Sequence, residues 1–219
     1  MEKLIYRFNN KGLQSSFNSK SVLGGKGANL AQMAKLGLPV PPGFTISTKV
    51  CEYFYKSNKR IPKKIIDQTK KEIAIIEKIS KKKLGDTSHP LLLSVRSGAR
   101  ISMPGMMDTI LNLGLNDKTV IALKNNTSNG RFAKDCYRRF IQMYGSVVFG
   151  IEAYLFEELI ENFKLTKGVI QDTELDENDW DGLIDNFKDI VKKKNQKKFS
   201  TGCKRTIVGG DKCCFFILE

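Results

Sequence analysis

The sequence predicts an α+β protein, with a mixed α/β subdomain over residues 1–113 followed by a helical subdomain over residues 114–198. Three observations carry this. Strand-like runs occur at residues 3–8, 43–47 and 91–97. Between them, Ile65, Ile66, Ile73, Ile76 and Ile79 recur at helical spacing. From residue 131 onward the apolar residues keep a period near 3.6 with no strand signal.

Taken in order, Lys-Leu-Ile-Tyr-Arg-Phe (3–8) reads as a first strand. Residues 24–37 read as a glycine-opened helix, with Leu30, Met33, Ala34 and Gly37 on one face. Three prolines in LPVPPGF (38–44) make a rigid extended connector, because proline fixes φ and restricts the residue before it. GFTIS follows as a strand, and Thr48 is placed to cap a helix running to about Ser57. Residues 62–82 form an amphipathic helix, 91–97 a buried strand and 98–110 a loop. In 131–150, Phe132, Cys136, Phe140, Ile141, Tyr144 and Val148 share a helix face. Two further helices follow, the second capped by Asp176 or Asn178.

The bulk composition bounds the function class. The chain has 219 residues, 41% hydrophobic and 27% charged, which suits a globular protein with a sizeable core. No run of 18 apolar residues predicts a membrane span, and the N-terminus lacks a signal-peptide core, so a cytoplasmic protein without membrane contact is expected. The five cysteines show no CxxC spacing and His89 is the only histidine, which argues against a zinc site and, for a cytoplasmic chain, against disulfides. Cys51 and Cys136 lie in apolar helical patterns and are expected to be buried small hydrophobes. The net charge is +14 with a pI near 9.5. It comes from 29 Lys against 8 Arg, so a solvated lysine-rich surface is favoured over a nucleic-acid reader, which leans on arginine. A positive field still attracts nucleotides and phosphate.

Two stretches carry chemistry. In LGGKGANL (23–30), Gly24 and Gly25 precede a helix and Lys26 adds a positive charge. Adjacent glycines let a backbone approach an anion, and the free N–H groups at a helix start point toward it. The stretch reads equally as a phosphate-binding turn or as a glycine hinge with a surface lysine. It is neither a Walker A loop nor a GxGxxG turn. In LLLSVRSGARISMPGMMDTILNLGLND (91–117), a strand ends in Arg96 and runs into a loop containing Gly105 and three methionines. A guanidinium at a sheet edge can grip phosphate in bidentate fashion, and a glycine-methionine loop can close over it. The alternatives are a structural ion pair for Arg96 and core packing for Met103, Met106 and Met107.

These two stretches, extended to LGGKGANLAQMAKLGLPVPPGFTIST and joined in order by RFAKDCYRRFIQMYGSVVFG, resemble the N-terminal ATP-binding region of pyruvate phosphate dikinase. The resemblance covers residues 1 to about 199. Phosphoenolpyruvate synthases share the GGK turn and an arginine strand but not the SGARxSMPGMMDTxLNLGLND form. What it implies is a partial ATP-grasp-type fold and a transferase (kinase) chemistry interconverting ATP, phosphate and pyruvate with AMP, pyrophosphate and phosphoenolpyruvate, through a phosphohistidine on a swivelling domain. ATP and magnesium are the implied cofactors. Lys26 and Arg96 would contact the ATP phosphates, with Gly24 and Gly25 in the turn and Gly105 in the lid. Arg139 in YRRF and Lys167 before GVIQDTEL would be further basic contributors.

The sequence also departs from that family. The phosphohistidine and pyruvate/phosphoenolpyruvate domains are absent, no magnesium-holding carboxylate pair is found, and His89 does not match the swivelling histidine. The chain is therefore expected to keep part of a phosphate site and to be inactive alone. Two other roles stand beside this: an interaction module completing a separately encoded remainder, and a lysine-rich nucleic-acid binder. Residues 199–219, holding three of the cysteines, show no helical or strand period and are expected to lie outside the fold. The family continues here approximately as FPQDPxEQLWxAIxAVFxSW. Synonymous codons exist for 199–219 that, read with one T deleted from the opening run, spell FPQDVKEQLWGAISAVFLSW. This points to a one-base insertion near residue 200. Sequencing the coding DNA is expected to find the family's sequence continuing in the shifted frame; an unrelated downstream sequence would refute the insertion.

Overall fold

The computed structural model describes residues 4–8, 20–58, 60–97, 109–195 and 215–218. These fall into two compact units. Within the described residues, the first is drawn from Met1–Lys82, Leu93–Thr109 and Lys204–Glu219, and the second from Lys83–Leu92 and Ile110–Cys203. The architecture is the expected α+β type. The division differs from a single cut at residue 113, because 83–92 joins the helical unit and the chain's end returns to the sheet unit.

The first unit contains β1 (Ile5–Phe8), α1 (Lys20–Lys35), β2 (Gly43–Ile46), α2 (Thr48–Lys56), α3 (Lys63–Ser80) and β3 (Leu93–Ser97). Three strands, β1, β2 and β3, are those read from the sequence. Phe215–Leu218 is a further strand, counted as β5, and the order in this unit is β1-β2-β5-β3. That strand lies in a segment expected outside the fold. Four apolar residues are too short a run to show a period, and their pairing is decided by the edges that receive them. β1 runs antiparallel to β2, with Ile5 opposite Ile46 and Phe8 opposite Gly43.

α1 buries Ala28, Ala31 and Ala34; of the expected face, Ala34 is buried and Leu30 is half-buried against the Phe8 cluster, while Met33 is 41% exposed and Gly37 is exposed. Small side chains let the helix lie close to the strand. Tyr6 packs on Leu23, Ala28 and Ala31, and Phe8 on Ala34 and Val40. α2 is capped by Ser47, whose hydroxyl accepts from the Lys49 N–H at 3.2 Å. Thr48, the expected cap, instead donates its hydroxyl to the Ser21 carbonyl at 2.6 Å. α3 buries Ile65, Thr69 and Ile76 and is tied to β1 by Arg7, which donates to both carboxylate oxygens of Glu72 at 2.7 and 3.1 Å.

The second unit contains β4 (Thr109–Leu113, mostly in this unit), α4 (Thr119–Thr127), α5 (Gly130–Phe149), α6 (Ala153–Lys167), a 3₁₀ turn (Asp172–Glu174) and α7 (Glu177–Asn195). The loop expected over 98–110 gives way to β4 at Thr109. α5 turns Ala133, Tyr137, Phe140, Ile141 and Tyr144 inward, while Phe132 is exposed and Cys136 and Val148 are half-buried. Cys51 and Cys136 are both half-buried rather than buried. Asp176 caps α7, accepting from the Asn178 and Asp179 N–H groups at 2.8 and 3.0 Å, and Asp179 accepts from the Asp176 N–H in return. Trp180 and Phe187 are fully buried, Phe187 stacking obliquely on Phe156 at 4.8 Å between centroids. The Arg138 guanidinium sits 4.7 Å over the Trp180 ring and pairs with Asp135 at 2.5 Å. No helix among the described residues is long and apolar enough to cross a membrane.

Truncating Phe187 removes a ring at 0% exposure from the α6–α7 contact. Phe187→Ala is expected to lower unfolding free energy by about 3–5 kcal/mol, read from urea denaturation.

Candidate phosphate-binding site

The candidate site begins at a break in α1. Gly24 has φ 71° and ψ 170°, a conformation side chains other than glycine rarely take, so the helix from Gly25 onward starts afresh. A Cβ on Gly25 would meet nothing within 4 Å, so the backbone there faces open space. The turn before the break is anchored from β2's end by the Thr48 hydroxyl on the Ser21 carbonyl. Nothing in the sequence singled out Thr48 for that role. Its signal is only its place at the strand-to-helix junction.

Lys26 follows directly in the new first turn. Its proton affinity is lowered, chiefly by burial and then by the positive charge of Arg96. Arg96 comes from β3, and its Nε is buried without a hydrogen-bond partner. Arg96 is near enough for its charge to act on Lys26, which follows the Gly24–Gly25 break. Among the described residues no carboxylate pairs with either. Two cations held close, one with an orphaned buried donor, form a place where an anion gains from both charges.

Gly105, Met103, Met106, Met107 and Asp108 fall outside the described residues. In the second unit, Arg139 is 55% exposed and pairs through Nε with Asp135 at 3.0 Å, one helical turn back. Lys167 pairs with Asp176 at 3.4 Å and with Asp179, and its proton affinity is raised, first by the Asp179 hydrogen bond. It closes the end of α6 onto the cap of α7. His89 is exposed in a bend, its N–H donating to Asp86. Among the described residues no three of His, Cys, Asp or Glu come together so as to hold a metal ion.

Comparison with known proteins places this arrangement. The family described as "Pyruvate phosphate dikinase, AMP/ATP-binding domain" matches residues 20–139, which include both the Gly24–Lys26 turn and Arg96. A pyruvate, phosphate dikinase of Rhizobium meliloti (strain 1021) is 50% identical over 191 residues, 87% of this chain and 21% of the relative. A chloroplastic pyruvate, phosphate dikinase of Flaveria pringlei is 47% identical over 206 residues, 94% of this chain and 21% of the relative. That of Clostridium symbiosum is 46% identical over 216 residues, 98% of this chain and 24% of the relative. The chain therefore spans about a fifth to a quarter of the length of these relatives. With the matched segment taking in more than half of its residues, the chain belongs to the pyruvate phosphate dikinase family and carries sequence of its AMP/ATP-binding domain.

Proposed function

We propose that this chain contributes one wall of an ATP phosphate site, with Lys26 and Arg96 neutralising phosphate oxygens and the backbone N–H groups after Gly24 donating to them. The observation that carries the reading is the like-charge pair: burial and then the charge of Arg96 lower the proton affinity of Lys26, while the Arg96 Nε is buried without a hydrogen-bond partner. Phosphoryl transfer asks little covalent chemistry of a protein. It asks for positioning and for cancellation of phosphate charge, which ammonium, guanidinium and oriented N–H groups supply. Gly105 belongs to this reading as the lid over the phosphates, and Arg139 and Lys167 as outer basic groups.

In the whole enzyme such a wall would serve the interconversion of ATP, phosphate and pyruvate with AMP, pyrophosphate and phosphoenolpyruvate. Magnesium bridges phosphates in reactions of this class. Among the described residues no three His, Cys, Asp or Glu side chains gather to hold a metal ion. One wall buries only part of a nucleotide, so binding is expected to be weak and turnover absent.

Calorimetric titration with ATP and magnesium tests the assignment. Lys26→Ala and Arg96→Ala are each expected to weaken binding by about 10- to 100-fold, the worth of a charge-assisted hydrogen bond. Gly25→Ala separates binding from folding. Its Cβ meets no protein atom, so stability should hold while close approach of a phosphate is obstructed and affinity falls. Retained affinity in Lys26→Ala and Arg96→Ala would overturn the site.

The depressed Lys26 also predicts a proton signature. An anion seated beside it restores its proton affinity, so binding takes up protons at alkaline pH below the ordinary lysine value. The apparent enthalpy of tripolyphosphate binding should then depend on the buffer's ionisation enthalpy, and that dependence should vanish in Lys26→Ala.

A further inference from the structure

The first unit's sheet is completed from within by the last described strand. β5 runs antiparallel to β2 on one side, with Phe44 opposite Ile217. It runs antiparallel to β3 on the other, with Val95 opposite Ile217 and Arg96 opposite Phe216. β2 and β3 are not neighbours; each reaches the other only through β5. The residues flanking the gap are core residues, Phe44 at 0%, Thr45 at 1% and Val95 at 4% exposure. Without an inserted strand, two rows of backbone N–H and C=O groups would face each other across a space about two strand spacings wide, roughly 9.6 Å.

We propose that the gap between β2 and β3 is a strand-accepting slot. It takes one extended, apolar, proline-free segment antiparallel to both neighbours, and filling it fixes the Arg96 backbone beside Lys26. The chemistry of the slot sets the partner. Pairing on both edges uses the N–H groups of the inserted segment, which excludes proline at its inner positions. Main-chain pairing supplies the attraction and is tolerant of side-chain identity, while the buried setting selects apolar residues. Phe-Phe-Ile-Leu at 215–218 meets each requirement. Nineteen residues separate Asn195 from Phe215, a tether of up to about 65 Å when extended. The occupant is therefore the segment 215–218, and the slot accepts it equally as a separate peptide. The slot does not rest on the phosphate-site reading; its effect on Arg96 does.

The test compares the full chain with Ile217→Pro by hydrogen–deuterium exchange. Exchange is expected to rise at residues 43–46 and 93–97 and to stay unchanged in α5 and α7. An excess of a peptide of residues 211–219, with Cys213→Ser and Cys214→Ser, should restore protection; the same peptide carrying Ile217→Pro should not. Tripolyphosphate affinity should fall about tenfold in the variant, the worth of one charge-assisted hydrogen bond, and return with the peptide. Unchanged exchange at 43–46 and 93–97, or no rescue by the peptide, overturns the slot. Should the variant also lose protection in α1 and α3, a disulfide decides the matter. Thr45→Cys with Phe216→Cys, opposite one another in register, should form an intramolecular bond on oxidation in the full chain carrying Cys213→Ser and Cys214→Ser. Failure to form it overturns the proposal. If the parent chain binds no tripolyphosphate, the phosphate reading fails while exchange still judges the slot.

Discussion

Two positive charges held near one another are costly unless a scaffold imposes them, and this is the constraint around which the first unit is built. Burial and the charge of Arg96 both work against a proton on Lys26. Neither cation relaxes onto a carboxylate among the described residues. Their backbones are fixed by different elements: Lys26 by the first turn after the helix break, Arg96 by a paired strand.

The surrounding packing explains why neither element yields. The alanine face of α1 brings it against Tyr6 of β1, and the Thr48 hydroxyl fastens the turn ahead of Gly24 to the end of β2. Arg7 and Glu72 clamp α3 onto β1 through two hydrogen bonds in a half-buried setting. The Gly24 backbone, in a region that favours glycine, then starts the helix afresh at Gly25. Local strain at one residue is thus tolerated by tertiary contacts made at others.

Lys26 and Arg96 are legible from the sequence because each sits beside punctuation: paired glycines before a helix, and a strand running into a glycine-containing loop. The long helices are legible for the same kind of reason, since isoleucine spacing in α3 and the Asp176 cap of α7 are local signals. What escapes is decided by neighbours. The face read for α1 holds for Ala34 and in part for Leu30, while Met33 is exposed and close approach to a strand favours Ala28 and Ala31. Ser47 rather than Thr48 capped α2, because Thr48 had a carbonyl from another helix within reach. β4 was read as loop up to residue 110, its five residues being too short to announce a period. β5 has no pattern of its own, and its place is set by two waiting edges. Arg139 and Lys167 look like ligand-binding cations in a motif; in the fold Arg139 pairs with Asp135 one helical turn back, and Lys167 with Asp176 and Asp179 at the cap of α7.

The indole of Trp180 has a practical meaning. It is the chain's only tryptophan, and it lies fully enclosed beneath Arg138 in the helical unit. Intrinsic emission excited at the indole band therefore comes from that unit alone. A fluorescence melt tracks the loosening of α5 against α7 and is blind to events around the helix break. An optical probe of the sheet unit would have to be introduced there, leaving the native reporter as an internal control.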